Sequence, residues 1–78
     1  MSVAIIYSNE SQECERAIAL MENLNQQYIL YVSGQDFDPS QFSKEFGDDA
    51  EYPQIALGYE HIGSLKETLN YFKDKNFL

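Results

Sequence analysis

An α/β domain of three helices and a four-stranded mixed sheet, in the order β-α-β-α-β-β-α, is predicted by three features of this 78-residue sequence. Two continuous apolar runs, Val3–Tyr7 and Tyr28–Val32, flank a stretch with helical spacing. Two later segments, at Asp38 and Ser64, open with helix-capping signatures. Between those two helices, a pair of short apolar stretches surrounds Gly58, the pattern of a hairpin. No repeat, linker or low-complexity stretch interrupts this order, so the expectation is one domain over residues 1–78.

Val3-Ala4-Ile5-Ile6-Tyr7 is apolar throughout and β-branched in part, the composition of a strand covered on both faces of a parallel sheet. Polar residues from Ser8 to Ser11 end it. From Cys14, apolar residues return at Ala17, Ile18, Met21 and Leu24, which is the spacing of one helix face. Asn25-Gln26-Gln27 stops that helix, and Tyr28–Val32 is the second strand. A strand, a helix and a strand in succession make a right-handed crossover, so these strands are parallel. Asp38-Pro39-Ser40-Gln41 begins a second helix: Asp caps, Pro takes the first helical position, and Gln stands three after the cap. Phe42 and Phe46 share a face of it, and Gly47 supplies its stop. After the acidic loop Asp48–Glu51, Gln54–Leu57 and Tyr59–Ile62 form the hairpin. Ser64-Leu65-Lys66-Glu67 is a capping box for the last helix, whose expected apolar stripe is Leu65, Leu69 and Phe72.

Composition narrows the function. Thirteen acidic and five basic residues give a net charge of −8. Nucleic acids and anionic membrane surfaces are excluded as partners, because both are bound chiefly through Lys and Arg. One cysteine rules out an intramolecular disulfide and points to a reducing compartment, with the cytoplasm as the expected location. No apolar run approaches the roughly 20 residues needed to span a bilayer. A single His and a single Cys on separate elements make no metal site, so no metal is expected. The exposed polar helices lead us to expect a monomer.

Two motifs carry the chemistry. Tyr52-Pro53-Gln54-Ile55 precedes His61-Ile62-Gly63-Ser64, and Ser11-Gln12-Glu13-Cys14-Glu15-Arg16-Ala17 opens the first helix. Together they resemble the glutaredoxins, in which a Val-Pro-Gln-Ile-like segment with a cis proline leads to a His-Ile-Gly-Gly-like turn. The first helix of that family begins Cys-x-x-Cys-x-(Arg/Lys)-Ala. The resemblance spans nearly the whole chain and implies a minimal thioredoxin fold. It also implies a thiol–disulfide oxidoreductase, an electron donor to a disulfide-containing protein such as ribonucleotide reductase, reduced by glutathione or by a thioredoxin reductase.

Carried onto this chain, the resemblance places Ser11 where the attacking cysteine stands and Cys14 where the resolving thiol stands. Tyr52, before a cis Pro53, would pair its backbone with an extended thiol substrate. Gly63, Ser64, Lys66 and Glu67 would hold the γ-glutamyl end of glutathione at a helix N-terminus. Departures from the family pattern are Ser64 for the second glycine, Lys66-Glu67 for Thr/Ser-Asp, and Asn9 for the basic residue before the first cysteine. A hydroxyl does no thiol–disulfide exchange, so the chain as written is expected to be inactive. Read without the family, Ser11 is an ordinary helix cap. With it, Ser11 marks either a natural redox-silent relative or a near-isosteric exchange for cysteine. The alternative function is a redox-silent module that binds glutathione or a protein in the proline groove. A further alternative, a monothiol enzyme acting through Cys14, requires that this thiol be accessible.

Overall fold

A computed structural model describes residues 3–9 and 11–75. Residues 1, 2, 10 and 76–78, which the expected domain includes, lie outside that description. The elements follow in the expected order: β1 (Ala4–Ser8), α1 (Gln12–Asn23), β2 (Tyr28–Val32), α2 (Pro39–Phe46), β3 (Gln54–Leu57), β4 (Glu60–Gly63) and α3 (Leu65–Asp74). The sheet order is β2-β1-β3-β4. β1 pairs parallel to β2, as the crossover requires, while β1–β3 and β3–β4 are antiparallel. This is the mixed thioredoxin-like sheet.

Alternation along β1 divides the molecule into two layers. Ala4, Ile6 and Ser8 are buried, and the first two join Ala17 and Met21 of α1, Ile55 of β3 and Phe72 of α3 in the main core. Ile5 and Tyr7 point to the other face and are only half-buried. The strand expected to be covered on both faces is thus sealed on one and partly covered on the other. Over that second face lies α2, whose Phe46 ring meets Tyr7 with centroids 5.2 Å apart.

Capping residues set the helix limits as anticipated. Asp38 accepts the Ser40 N–H at 2.9 Å, and Gln41 reaches back to the Asp38 N–H at 3.2 Å. The Ser40 N–H and hydroxyl hold the Asp38 carboxyl below its ordinary pKa by favouring the anion. Gly47 ends the helix at φ 102°, and Asn25 closes α1 at φ 54°, a conformation that asparagine tolerates well.

Two expectations shift. The second hairpin strand begins at Glu60 rather than Tyr59 and runs to Gly63, because an irregularity between Ile55 and Ala56 pairs Ile55 with Gly63 and Ala56 with His61. In α3 the buried positions are Thr68 and Phe72, while Leu69 is 40% exposed. A polar residue is tolerated in the core because the Thr68 hydroxyl donates to the Ser64 carbonyl at 2.8 Å.

Candidate functional site

The turn from β1 into α1 builds the first half of the site. Ser11 is the N-cap of α1, with extended backbone at φ −94° and ψ 163°. Its Oγ accepts the Cys14 N–H at 3.4 Å and donates to the Cys14 Sγ at 3.2 Å. Asn9 completes a small ring of contacts. Its side-chain oxygen accepts from the Ser11 N–H at 3.2 Å and from the Cys14 thiol at 3.3 Å, and its own N–H donates to Sγ at 3.4 Å. Cys14 lies in the first helical turn and is 2% exposed. The capping reading of Ser11 is therefore realised, and the hydroxyl also contacts the lone thiol. A depression of about 510 Å³ lies over this corner, with Leu30, Val32 and Gln35 on its far wall.

The loop before β3 builds the second half. The Tyr52–Pro53 peptide bond is cis, and Pro53 is fully buried. The Tyr52 ring stacks on Phe42 with centroids 4.1 Å apart and planes 12° apart. Its hydroxyl donates to Ser33 Oγ at 3.4 Å. A second groove, about 240 Å³, brings Tyr52 together with Ser64 and Lys66, along with Glu13, Glu51 and Leu69. Ser11 and Cys14 border the first depression and not this groove; Glu13, two residues into the same helix, reaches it. The Glu67 carboxylate accepts the Ser64 N–H at 3.3 Å and the Ser64 hydroxyl at 3.1 Å. One of the N–H groups expected to meet a ligand at this helix start is thereby already engaged.

Gly63 has φ +130°, and a Cβ there would stand 2.6 Å from the Glu67 carboxylate carbon. Gly63→Ala is expected to lower stability by about 1–3 kcal/mol, because the backbone is close to glycine-only and the Glu67 cap must move. Urea unfolding reads this directly; a midpoint shift worth only a few tenths of a kcal/mol would mean that the turn relaxes freely.

His61, in β4, is tied to the Gln54 amide oxygen through Nε2 at 2.7 Å and lies against Phe46. Among the described residues, no group of three or more His, Cys, Asp or Glu side chains is arranged to hold a metal ion. No helix among them is long and apolar enough to cross a membrane. Sequence reasoning missed Asn9 as a partner of the thiol, and Glu13, Glu51 and Leu69 as groove walls. The position of Glu51 immediately before Tyr52-Pro53 was the available signal for one of them.

Solved glutaredoxins share this architecture. The chain superposes on a buckwheat glutaredoxin solved with glutathione, with TM-score 0.81 and 18% identity, over 97% of this chain and 73% of that one. A reduced Escherichia coli glutaredoxin gives 0.79 and 19%, covering 97% and 99%. Glutaredoxin 1 of Francisella tularensis, complexed with cacodylate, gives 0.72 and 23%, covering 97% and 96%. The fold is that of the glutaredoxins. No protein-family model matches the chain, and no curated protein sequence does.

Proposed function

We propose that this chain carries the thiol–disulfide site of a glutaredoxin-like oxidoreductase, with a serine standing in for its nucleophile. The observation that carries it is the 3.2 Å contact between Ser11 Oγ and Cys14 Sγ at the N-terminus of α1. A sulfur in place of that oxygen would need to close by only about 1 Å to reach the 2.05 Å of a disulfide. With cysteine at position 11, its thiolate would attack a substrate disulfide, form a mixed disulfide and release one substrate thiolate. The Cys14 thiolate would then attack the position-11 sulfur, release the second substrate thiolate and leave an 11–14 disulfide. Two equivalents of glutathione, or a thioredoxin reductase, would return both thiols. As written, the chain stops before the first step, because the hydroxyl neither ionises readily nor donates electrons to a disulfide as a thiolate does.

The substrate half of the reading rests on the cis Tyr52–Pro53 segment and the groove it shares with Ser64 and Lys66. Tyr52 would pair its backbone with the substrate, and Lys66 would take a carboxylate of glutathione or of a protein. The physiological oxidant would be a protein disulfide such as that of ribonucleotide reductase, met by a monomer in the reducing cytoplasm. The second reading, a redox-silent module that uses the same groove only to bind, is favoured by Ser11 itself. A monothiol enzyme acting through Cys14 is disfavoured by the burial of that thiol.

Titration with S-methylglutathione, which cannot exchange thiols, tests the groove by amide shifts. Shifts concentrated at Tyr52 and residues 64–66 are expected. Undisturbed shifts there at millimolar ligand would remove glutathione from the reading and leave a protein thiol as the substrate.

A further inference from the structure

Opposite the main core, four aromatic rings close a circuit. Tyr7 meets Phe37 at a centroid distance of 5.7 Å, Phe37 meets Phe42 at 5.9 Å, Phe42 meets Phe46 at 5.0 Å, and Phe46 returns to Tyr7 at 5.2 Å. The rings come from three elements: β1, the loop before α2, and α2 itself. An aromatic layer beneath an amphipathic helix ordinarily packs shut. Here a cavity of about 250 Å³ remains, lined by these four rings together with Gln41 and Glu45 of α2. Both polar side chains are exposed, while Phe42 is buried and the other three rings are half-buried. The cavity thus has ring walls with acceptor oxygens beside them.

We propose that this aromatic box is a binding site for the guanidinium of an arginine side chain presented by a basic protein partner. Ring faces attract a cation through their quadrupole, and guanidinium, being planar, also stacks on them. The Glu45 carboxylate supplies acceptors for its N–H fork, while the Gln41 carbonyl already accepts the Asp38 N–H at 3.2 Å. A quaternary ammonium would leave that carboxylate without a hydrogen bond, and a lysine ammonium would leave the stacking unused. Glu45 also stands in the last turn of α2, where the helix dipole favours a cation and disfavours an acid, so an incoming arginine relieves that conflict. Tyr7 senses the same carboxylate: burial, Glu45 and then Tyr31 push its phenol pKa up. Lys44 is in the same turn but does not line the cavity.

Charge complementarity identifies the occupant as a protein. The chain carries a net charge of −8, and Asp48, Asp49 and Glu51 follow directly on α2 as exposed residues. A field of this sign steers basic surfaces toward this end of the molecule and repels anionic ones. The box is separate from the Ser11–Cys14 corner, but Phe42 links it to the groove at Tyr52, since it walls the box and stacks on Tyr52.

The test is a titration of the full chain with an acetylated, amidated Gly-Arg-Gly peptide, read by ring-proton shifts of Tyr7, Phe37, Phe42 and Phe46. Gly-Lys-Gly and Gly-Gln-Gly peptides and tetramethylammonium are run beside it. A dissociation constant on the order of millimolar is expected for the arginine peptide, as suits a single anchoring side chain. Glu45→Gln, isosteric and exposed, should weaken it at least about fivefold while leaving the spectrum folded. Equal binding of the lysine peptide or tetramethylammonium would overturn the guanidinium assignment. Shifts that spread over the acidic surface, that vanish at about 0.3 M salt, or that persist in Glu45→Gln would overturn the site itself.

Discussion

Replacing Ser11 with Cys is expected to raise glutathione-dependent disulfide reduction from the uncatalysed rate to a turnover on the order of 1 s⁻¹ or faster, the ordinary range for enzymes. On the proposed reading the gain is large because the exchange supplies the nucleophile. Position 11 caps α1, where unpaired N–H groups and the helix dipole favour an anion, and the cap geometry keeps the new sulfur within reach of Cys14. The two thiols divide the work. Adding Cys14→Ser to Ser11→Cys should preserve reduction of a glutathione mixed disulfide, which needs one thiol. It should abolish reduction of protein disulfides that rely on the second thiol for release. The unaltered chain should stay at background in both assays. Activity there would assign the chemistry to Cys14 despite its burial and dissolve the role given to position 11.

The second large effect is structural. Phe72→Ala is expected to cost about 3–5 kcal/mol, the usual range for removing a buried phenylalanine. Phe72 is 2% exposed and closes the core formed by Ala4, Ile6, Ala17, Met21 and Ile55, so its removal opens a cavity across α1, α3 and the sheet. Small domains hold only about 5–15 kcal/mol in all, and a chain of this size sits near the lower end. At about 4–8 °C per kcal/mol, the melting midpoint should fall by roughly 12–40 °C. Leu69→Ala, one turn away, should stay within about 0.5 kcal/mol, as exposed substitutions do. Thermal unfolding of the two variants together separates the observed packing of α3 from the Leu65-Leu69-Phe72 stripe expected from spacing. Comparable losses would restore the stripe.

That contrast shows what the sequence could and could not convey. The order of elements was legible because each boundary has a local chemical cause: the Asp38-Pro39 cap, the left-handed Asn25, the glycine stop at Gly47 and the Ser64–Glu67 box. Strand pairing was legible from the crossover and the hairpin. The face of α3 was not, because Leu69 and Thr68 compete for the same inward arc. The hydrogen bond that lets Thr68 win is visible only in three dimensions. Likewise, the start of β4 at Glu60 depends on a pairing irregularity with no local sequence signal.

At the site, the motif residues fell on two neighbouring depressions that no spacing rule relates. Ser11 and Cys14 border one, and Tyr52, Ser64 and Lys66 border the other. Glu67 was read as a ligand residue from its place in the motif, yet its reach back to Ser64 is the capping box itself. The same two bonds were therefore legible as a cap. Asn9 was noted only as a missing cation, and its hydrogen bonds to Ser11 and Cys14 depend on the path of the chain between β1 and α1.

The most direct test of a serine-blocked thiol–disulfide site is intact-mass analysis after glutathione disulfide is added to the unaltered chain, to Cys14→Ser and to Ser11→Cys/Cys14→Ser. A single glutathione adduct is predicted on the double variant, mapped by peptide analysis to position 11, with no adduct on the other two. An unmodified double variant whose position-11 thiol still reacts with a neutral alkylating agent would contradict the site. So would rapid glutathione capture by Cys14 in the unaltered chain.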